Sequence, residues 1–455
     1  MAVWLSRSVR QRNVIRFLAC PAPVAQVCSR WVETTSSTPV TVSRSQDKPR
    51  TADDLPRVGF LMQMYRMVFQ GYYSRMHELQ IHEKQIYGSM YRGGLKSVWV
   101  NTPQLLEEVL RKDDKFPTRG DMTLWTEFRD MKGFGYGPFT EEGERWYNLR
   151  LMLNKRMLHP KDAAQYGGVI NEVVTDFIKR IYHLRQSSPT GDLVTNVANE
   201  LYRFSLETIK LIDKKMEVIE ERAKKNEEVE GEYLTYLLAN SQMNTKEVYS
   251  SIAELLLAGV DTTSNTLTWT MYLLSKYPQE QDTLHKEVSS WLLADTIPSA
   301  EEVTRMPYLK AVIKEALRMY PVVVMNARIS KERDVVIDGY HFPKKTSFTF
   351  SHYAISHDED TFPEPFMFKP DRWLRDGRER PNPFGSIPFG FGVRGCVGRR
   401  IAEIEMYMAL FRVIRLFEIR ADPAMGEVKS ISRTVLIPNR NINLHFVDRG
   451  SKITT

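Results

Sequence analysis

Phe389-Gly390-Phe391-Gly392-Val393-Arg394-Gly395-Cys396-Val397-Gly398 holds the one cysteine that lies outside the first 28 residues of this 455-residue chain. A lone cysteine is most often a small buried hydrophobe, so its weight comes from its surroundings. Three glycines precede it, which lets the backbone take φ > 0 and approach a flat ligand closely. Arg394 is suited to pairing with an anionic group at such a ligand's edge. An apolar helix is predicted over Ile401–Leu416, placing Cys396 near a helix N-terminus, where the dipole favours a thiolate. A soft thiolate in such a loop suits iron, and a thiolate axial ligand favours O–O cleavage. The same run contains Gly390-x-Gly392-x-x-Gly395, a match to the dinucleotide fingerprint. That pattern should follow a strand inside a βαβ unit. Here Pro383-Phe384-Gly385-Ser386-Ile387-Pro388 precedes it, and too little chain follows for a doubly wound sheet.

Upstream of the cysteine, helical spacing dominates. Apolar residues recur at helical intervals over Gly143–Met157, Gly168–Leu184 and Leu193–Thr208, while Lys224–Glu232 is a charge run. Asn244 with Glu247 resembles a capping box, and the helix it opens can run about 30 residues to Lys276, roughly 45 Å. Strand signals come late. Val335–Ile337 and Tyr340–Phe342 flank Asp338-Gly339, a two-residue hairpin turn. Thr346–Ser351 is a further strand, and Thr434–Ile437 with Ile442–Phe446 suggests a terminal hairpin around Pro438-Asn439. The fold expected is mainly α, a large helical domain with a small β region.

The formal charge of +7 is concentrated at the N-terminus. Arg7, Arg10, Arg12, Arg16 and Arg30 stand among serines and apolar residues, and Glu33 is the first acid. That composition is that of a mitochondrial transit peptide, here residues 1–32, with a polar linker over 33–55 and the folded domain over 56–450. Without the five arginines the charge falls to +2, so overall basicity does not point to nucleic acid. Cys20 and Cys28 lie in the same segment, which leaves Cys396 as a single thiol with no internal disulfide partner. No stretch is long and apolar enough to predict a membrane-spanning helix.

Four further clusters carry chemistry. Ala258-Gly259-Val260-Asp261-Thr262-Thr263 puts an acid and a hydroxyl in the middle of the long helix, where both are poor helix formers. Glu315 and Arg318 share a helix face at i, i+3, with Lys369-Pro370-Asp371-Arg372-Trp373 downstream. Trp146 and Arg150 lie one helical turn apart, and Arg328 sits in a strand-like run. Together with Arg394 that makes three arginines suited to bidentate carboxylate contact. Lys310 and Lys314, at i, i+4, offer a positive patch to an acidic partner.

The pattern F-x-x-G-x-R-x-C-x-G, filled by Phe389, Gly392, Arg394, Cys396 and Gly398, resembles the haem-binding loop of the cytochromes P-450. The resemblance implies that fold, with haem b between the long central helix and the Cys396 loop and the Cys396 thiolate as axial ligand of the metal. Asp261 and Thr262 match the family's A/G-G-x-D/E-T motif for oxygen activation and proton relay. Glu315 and Arg318 match its E-x-x-R, with Arg372 as third partner of a structural network. Trp146, Arg150, Arg328 and Arg394 match propionate-binding positions. Lys310 and Lys314 match the ferredoxin-docking pair of the mitochondrial class, and the absence of credible flavin or nicotinamide motifs makes a ferredoxin with its NADPH-dependent reductase the implied electron source.

Longer runs, including Tyr136–Met157, Leu255–Trp269, Leu309–Val323, Ser386–Glu405 and Val435–Asn439, are similar to the sterol 26/27-hydroxylase branch. They imply sterol side-chain hydroxylation, as in bile-acid synthesis, on the matrix side of the inner mitochondrial membrane with peripheral association to it. Related vitamin D or retinoid oxidation is implied as a neighbouring activity. One departure stands out. After Leu206-Glu207-Thr208-Ile209 the family continues with two long helices that roof the substrate pocket, whereas here Lys210-Leu211-Ile212-Asp213 follows at once. A chain lacking that block is expected to bind haem, and a haem-binding but catalytically impaired variant is the alternative.

Overall fold

The computed structural model describes residues 50–93, 97–120, 122–208, 245–291, 296–375 and 380–450. The chain divides into two units, Met1–Lys48 and Pro49–Thr455. The presequence, the charge run, the junction after Ile209 and Asn244 all lie outside the described residues.

The centre of the second unit is the helix Thr245–Lys276, 32 residues long and about 48 Å at 1.5 Å per residue. Every residue from Thr263 to Leu274 on it is buried, the pattern of a helix enclosed on all sides. Four of the hydroxyls in this stretch do not compete with the helix, because they bond back four residues. Ser264, Thr266, Thr268 and Thr270 donate to the carbonyls of Val260, Thr262, Ser264 and Thr266 at 2.6–2.7 Å, a back-bonding mode open to Ser and Thr inside helices. Trp269 stacks on Tyr320 with ring centroids 3.9 Å apart, and its indole N–H donates to the Leu436 carbonyl at 3.1 Å.

Around this axis pack Gly167–Gln186, Pro278–Trp291, Pro307–Met319 and Arg399–Leu416, which share one apolar core. Proline opens two of them, at the first helical position, where its missing N–H is harmless. Gln281 stitches the core to a strand, exchanging bonds with the backbone of Ile419 and donating to Leu274.

The β region is small and peripheral. One sheet orders Met90–Arg92, Ser97–Val100, Thr346–Ser351 and Met325–Ser330, with only the central pair parallel. Asp338 and Gly339 both have positive φ, 50° and 74°, the conformation of the tight hairpin turn that joins Val335–Ile337 to Tyr340–Phe342.

Three expectations change. Arg50–Thr51, assigned by sequence to the linker, pairs with Tyr340–His341, and Arg50 lies over the Tyr340 ring. The segment read as one helix from Leu193 begins as a strand, Leu193–Val194, paired to Leu444–His445, and turns helical only at residue 197. Asn196 has φ 52° at that switch. The terminal hairpin does not form. Leu436–Pro438 pairs instead with Ser430–Ser432, and Leu444–Asp448 with Phe417–Ala421. Asn439 explains the first exchange, since its amide N–H bonds the Lys429 carbonyl and its side chain accepts from the Lys429 N–H.

Candidate active site

The cysteine loop closes on itself. The Cys396 N–H donates to the Phe389 carbonyl at 2.7 Å, and the Gly395 N–H to that of Gly392 at 3.0 Å. Gly390 and Gly392 take φ of 71° and 68°, values that an L side chain strains to adopt. The loop hands over to the helix Arg399–Leu416. Cys396 is exposed by surface area. Burial nevertheless pushes its thiol up, outweighing the opposite pull of the Gly398 N–H and of Arg150, Arg119 and Arg399. The helix terminus alone therefore does not make a thiolate here, as its position had suggested. Metal coordination does so outright, because a bound cation deprotonates a coordinating thiol.

Beside the loop the structure gathers Arg150, Arg328 and Arg394, and adds Arg119, which the sequence reading missed. Arg394, from the loop, lies 3.4 Å over the ring of Trp146 and donates to the Pro117 carbonyl at 2.7 Å. Arg119 donates to the Arg394 carbonyl at 3.1 Å, and Arg150 to that of Gly395. Arg328, on the strand Met325–Ser330, pairs with Asp113 at 3.1 Å. Burial and mutual repulsion pull the Arg119 guanidinium down to about 10 and that of Arg394 to about 9. Both remain charged at neutral pH. His352 is held neutral, lowered to about 4 by burial and by Arg328. Trp146 is fully buried and its indole N–H has no protein partner among the described residues. Such a cluster of cations, with an orphaned donor beside it, is suited to a ligand that brings carboxylates.

Asp261 and Thr262 stand on the long helix just before its fully buried stretch. The helix is unbroken at Gly259. Thr262 donates its hydroxyl to the Ala258 carbonyl at 2.7 Å, and burial raises the Asp261 carboxyl. About two helical turns before Asp261, a second carboxylate was missed, because no local sequence signal marks it. Glu254 accepts from the Phe139 N–H, the Thr140 hydroxyl and Arg129 at 2.7, 2.6 and 2.9 Å, fastening the loop before Gly143 to the long helix.

Glu315, Arg318 and Arg372 do come together. Glu315 is fully buried and accepts two bonds from Arg318, at 2.8 and 2.9 Å, and one from Arg372 at 3.0 Å. The indole of Trp373 and the Lys369 N–H complete the set at 2.9 and 3.1 Å. Lys314 is exposed above this network, its ammonium 5.7 Å from the Trp373 ring centre. Burial and the positive charges of Lys310, Arg399 and Arg375 lower Lys314, against the opposite pull of Glu403. Lys310 donates to the Thr304 carbonyl at 3.0 Å.

The cytochrome P-450 family profile matches residues 49–212 and 193–446, two pieces that overlap over residues 193–212. The chain belongs to the cytochrome P-450 family. It is 39% identical to the mitochondrial sterol 26-hydroxylase of Homo sapiens over an alignment that takes in 88% of this chain and 90% of that protein. It is 34% identical to the mitochondrial 25-hydroxyvitamin D-1 alpha hydroxylase of Mus musculus, over 89% and 94%. The first alignment runs to 479 residues, more than the 455 of this chain, so gaps must open in this sequence. A solved cytochrome P-450DA heme domain superposes with a TM-score of 0.69 over 82% of this chain and 91% of that one at 22% identity, a likeness of fold.

This cytochrome P-450 is a monooxygenase, and its cofactor is haem with a cysteine thiolate as axial ligand. The residues around Cys396 fit that group: a soft sulfur in a loop that only glycines permit, four arginines and an unpartnered indole N–H. A cavity of about 590 Å³ lies farther along the long helix, lined by Leu124, Trp125, Phe128, Phe134 and Tyr249 among others. Those five apolar side chains are all exposed.

Proposed function

We propose that this cytochrome P-450 hydroxylates the side chain of a sterol in the mitochondrial matrix, using O2 and electrons from a ferredoxin. The cysteine loop and its arginines carry the haem-dependent part of this reading, and the two relatives carry the substrate class and compartment. Cys396 holds the iron. Arg119, Arg150, Arg394 and the Trp146 N–H hold the propionates, and Arg328 lies beside them. When bound, the haem activates O2, and the axial thiolate favours O–O cleavage. Asp261, its carboxyl raised by burial, stands next to Thr262 on the long helix, and the two form the proton relay. Glu315, Arg318 and Arg372 hold the core beneath. The basic surface around Lys310 and Lys314 steers an acidic ferredoxin.

Peripheral contact with the inner membrane is supported by the first helix. Phe60, Leu61, Met62, Val68 and Phe69 are all exposed on Phe60–Val68 and its C-cap, an apolar face suited to the acyl boundary. No described helix is long and apolar enough to cross a membrane. Residues 1–32 act as the transit peptide.

A second reading has its own observation. The wall of the 590 Å³ cavity is apolar and exposed, which supports a pocket left open by the missing block, and an open site admits water and wastes oxygen chemistry. The variant then binds haem and turns over poorly. Purified protein with ferredoxin, its reductase, NADPH and cholestanetriol separates the two. Hydroxylated sterol is the expected result. NADPH oxidation without hydroxylated product, alongside an active control that carries the block, decides for the impaired variant.

A further inference from the structure

The segment Asp113–Arg119 straps the strand Met325–Ser330 to the cysteine loop. Asp113 pairs with Arg328, Thr118 accepts from the Ile329 N–H at 3.0 Å, and Pro117 and Arg119 bond Arg394. Asp113 is the acid on this strap that faces the arginines. Burial raises its carboxyl, against the opposite pull of Arg328 and, more weakly, of Arg394, with Asp114 adding to the rise. The other acids near the cluster have cations of their own. Glu142 pairs with Lys331 at 2.6 Å, Glu254 with Arg129 at 2.9 Å, and Asp114 with Arg333 at 3.9 Å. With ferric haem in place the iron–porphyrin charge and the Cys396 thiolate cancel, so four guanidiniums face the two propionates and Asp113 lowers that excess of positive charge by one.

We infer that Asp113 is a positioning residue for the cofactor: it holds Arg328 and takes one positive charge off the arginine cluster that faces the two propionates. This rests on the haem reading above. Without Asp113, a site that has lost most of its water carries one more positive charge. A nearby positive charge favours the iron state that has gained an electron. Unit charges at such distances in a protein interact strongly enough to move an equilibrium about tenfold.

The test is the midpoint potential of the haem in the full-length holoprotein, by spectroelectrochemical titration. Asp113→Asn is expected to raise the reduction equilibrium constant about tenfold, about 59 mV positive for one electron. Asp113→Glu should restore the wild-type value. Arg328→Gln should move the potential the other way. Asp113→Asn with Arg328→Gln, which removes one charge of each sign, should return it, and these last two arms keep the test decisive if Asp113→Asn alone does not fold. Asp114→Asn, one residue along, is the control and should leave the potential in place. An unchanged potential in Asp113→Asn or Arg328→Gln holoprotein, whose thiolate spectrum is intact, overturns the inference. A wild-type chain with no thiolate spectrum overturns the haem reading instead.

Discussion

Glu315→Gln is expected to destabilise the protein by about 3–5 kcal/mol, the range found when one partner of a buried ion pair is removed. The geometry explains why so small a change is so damaging. The carboxylate is fully buried and accepts five bonds from Arg318, Arg372, Trp373 and Lys369. Arg318 is as deeply buried and spends its remaining donors on the carbonyls of Ser356, Pro365 and Met367. An amide in place of the carboxylate turns two N–H groups toward guanidiniums and leaves two buried cations without a counter-charge. Trp373→Phe removes one donor from the same carboxylate and should cost about 1–3 kcal/mol, the penalty of an unsatisfied buried group. The measurement is the urea midpoint of the holoprotein followed by tryptophan emission and haem release, with soluble yield as a second readout. A Glu315→Gln midpoint equal to wild type would show that the network is ornamental.

That network also shows what sequence could and could not supply. Glu315 and Arg318 were legible together because they are three residues apart on one helix. Trp373 and the Lys369 N–H were not assigned to it, because they arrive through tertiary packing from more than fifty residues away. The long helix and the Asp338-Gly339 turn were legible for the same local reason, one written in periodicity and the other in turn chemistry. The terminal hairpin failed because adjacency was taken for pairing, and Phe417–Ala421 and Ser430–Ser432 proved the better partners.

At the site, the cysteine loop and its glycines were readable from spacing alone. Arg119 and Asp113 were not, since neither lies in a periodic element, and Arg328 was legible as a cation but not as the partner of Asp113. Cys396 itself was placed correctly in sequence but its electrostatics were not. The helix terminus argued for a thiolate, whereas burial pushes the thiol up and leaves coordination to remove the proton.

Cys396 therefore carries the largest functional effect. Serine at this position keeps the size of the side chain and the Phe389 hydrogen bond to the backbone, but its oxygen is a poor soft ligand for iron. The arginines and Trp146 stay in place, so haem can still associate through its propionates. What must disappear is the electronic signature of sulfur. The reduced carbon-monoxide complex of the wild-type holoprotein is predicted to show the red-shifted absorption of thiolate ligation, and Cys396→Ser to lose it completely. A mutant spectrum identical to the wild type would contradict the assignment of Cys396 and, with it, the account of the site.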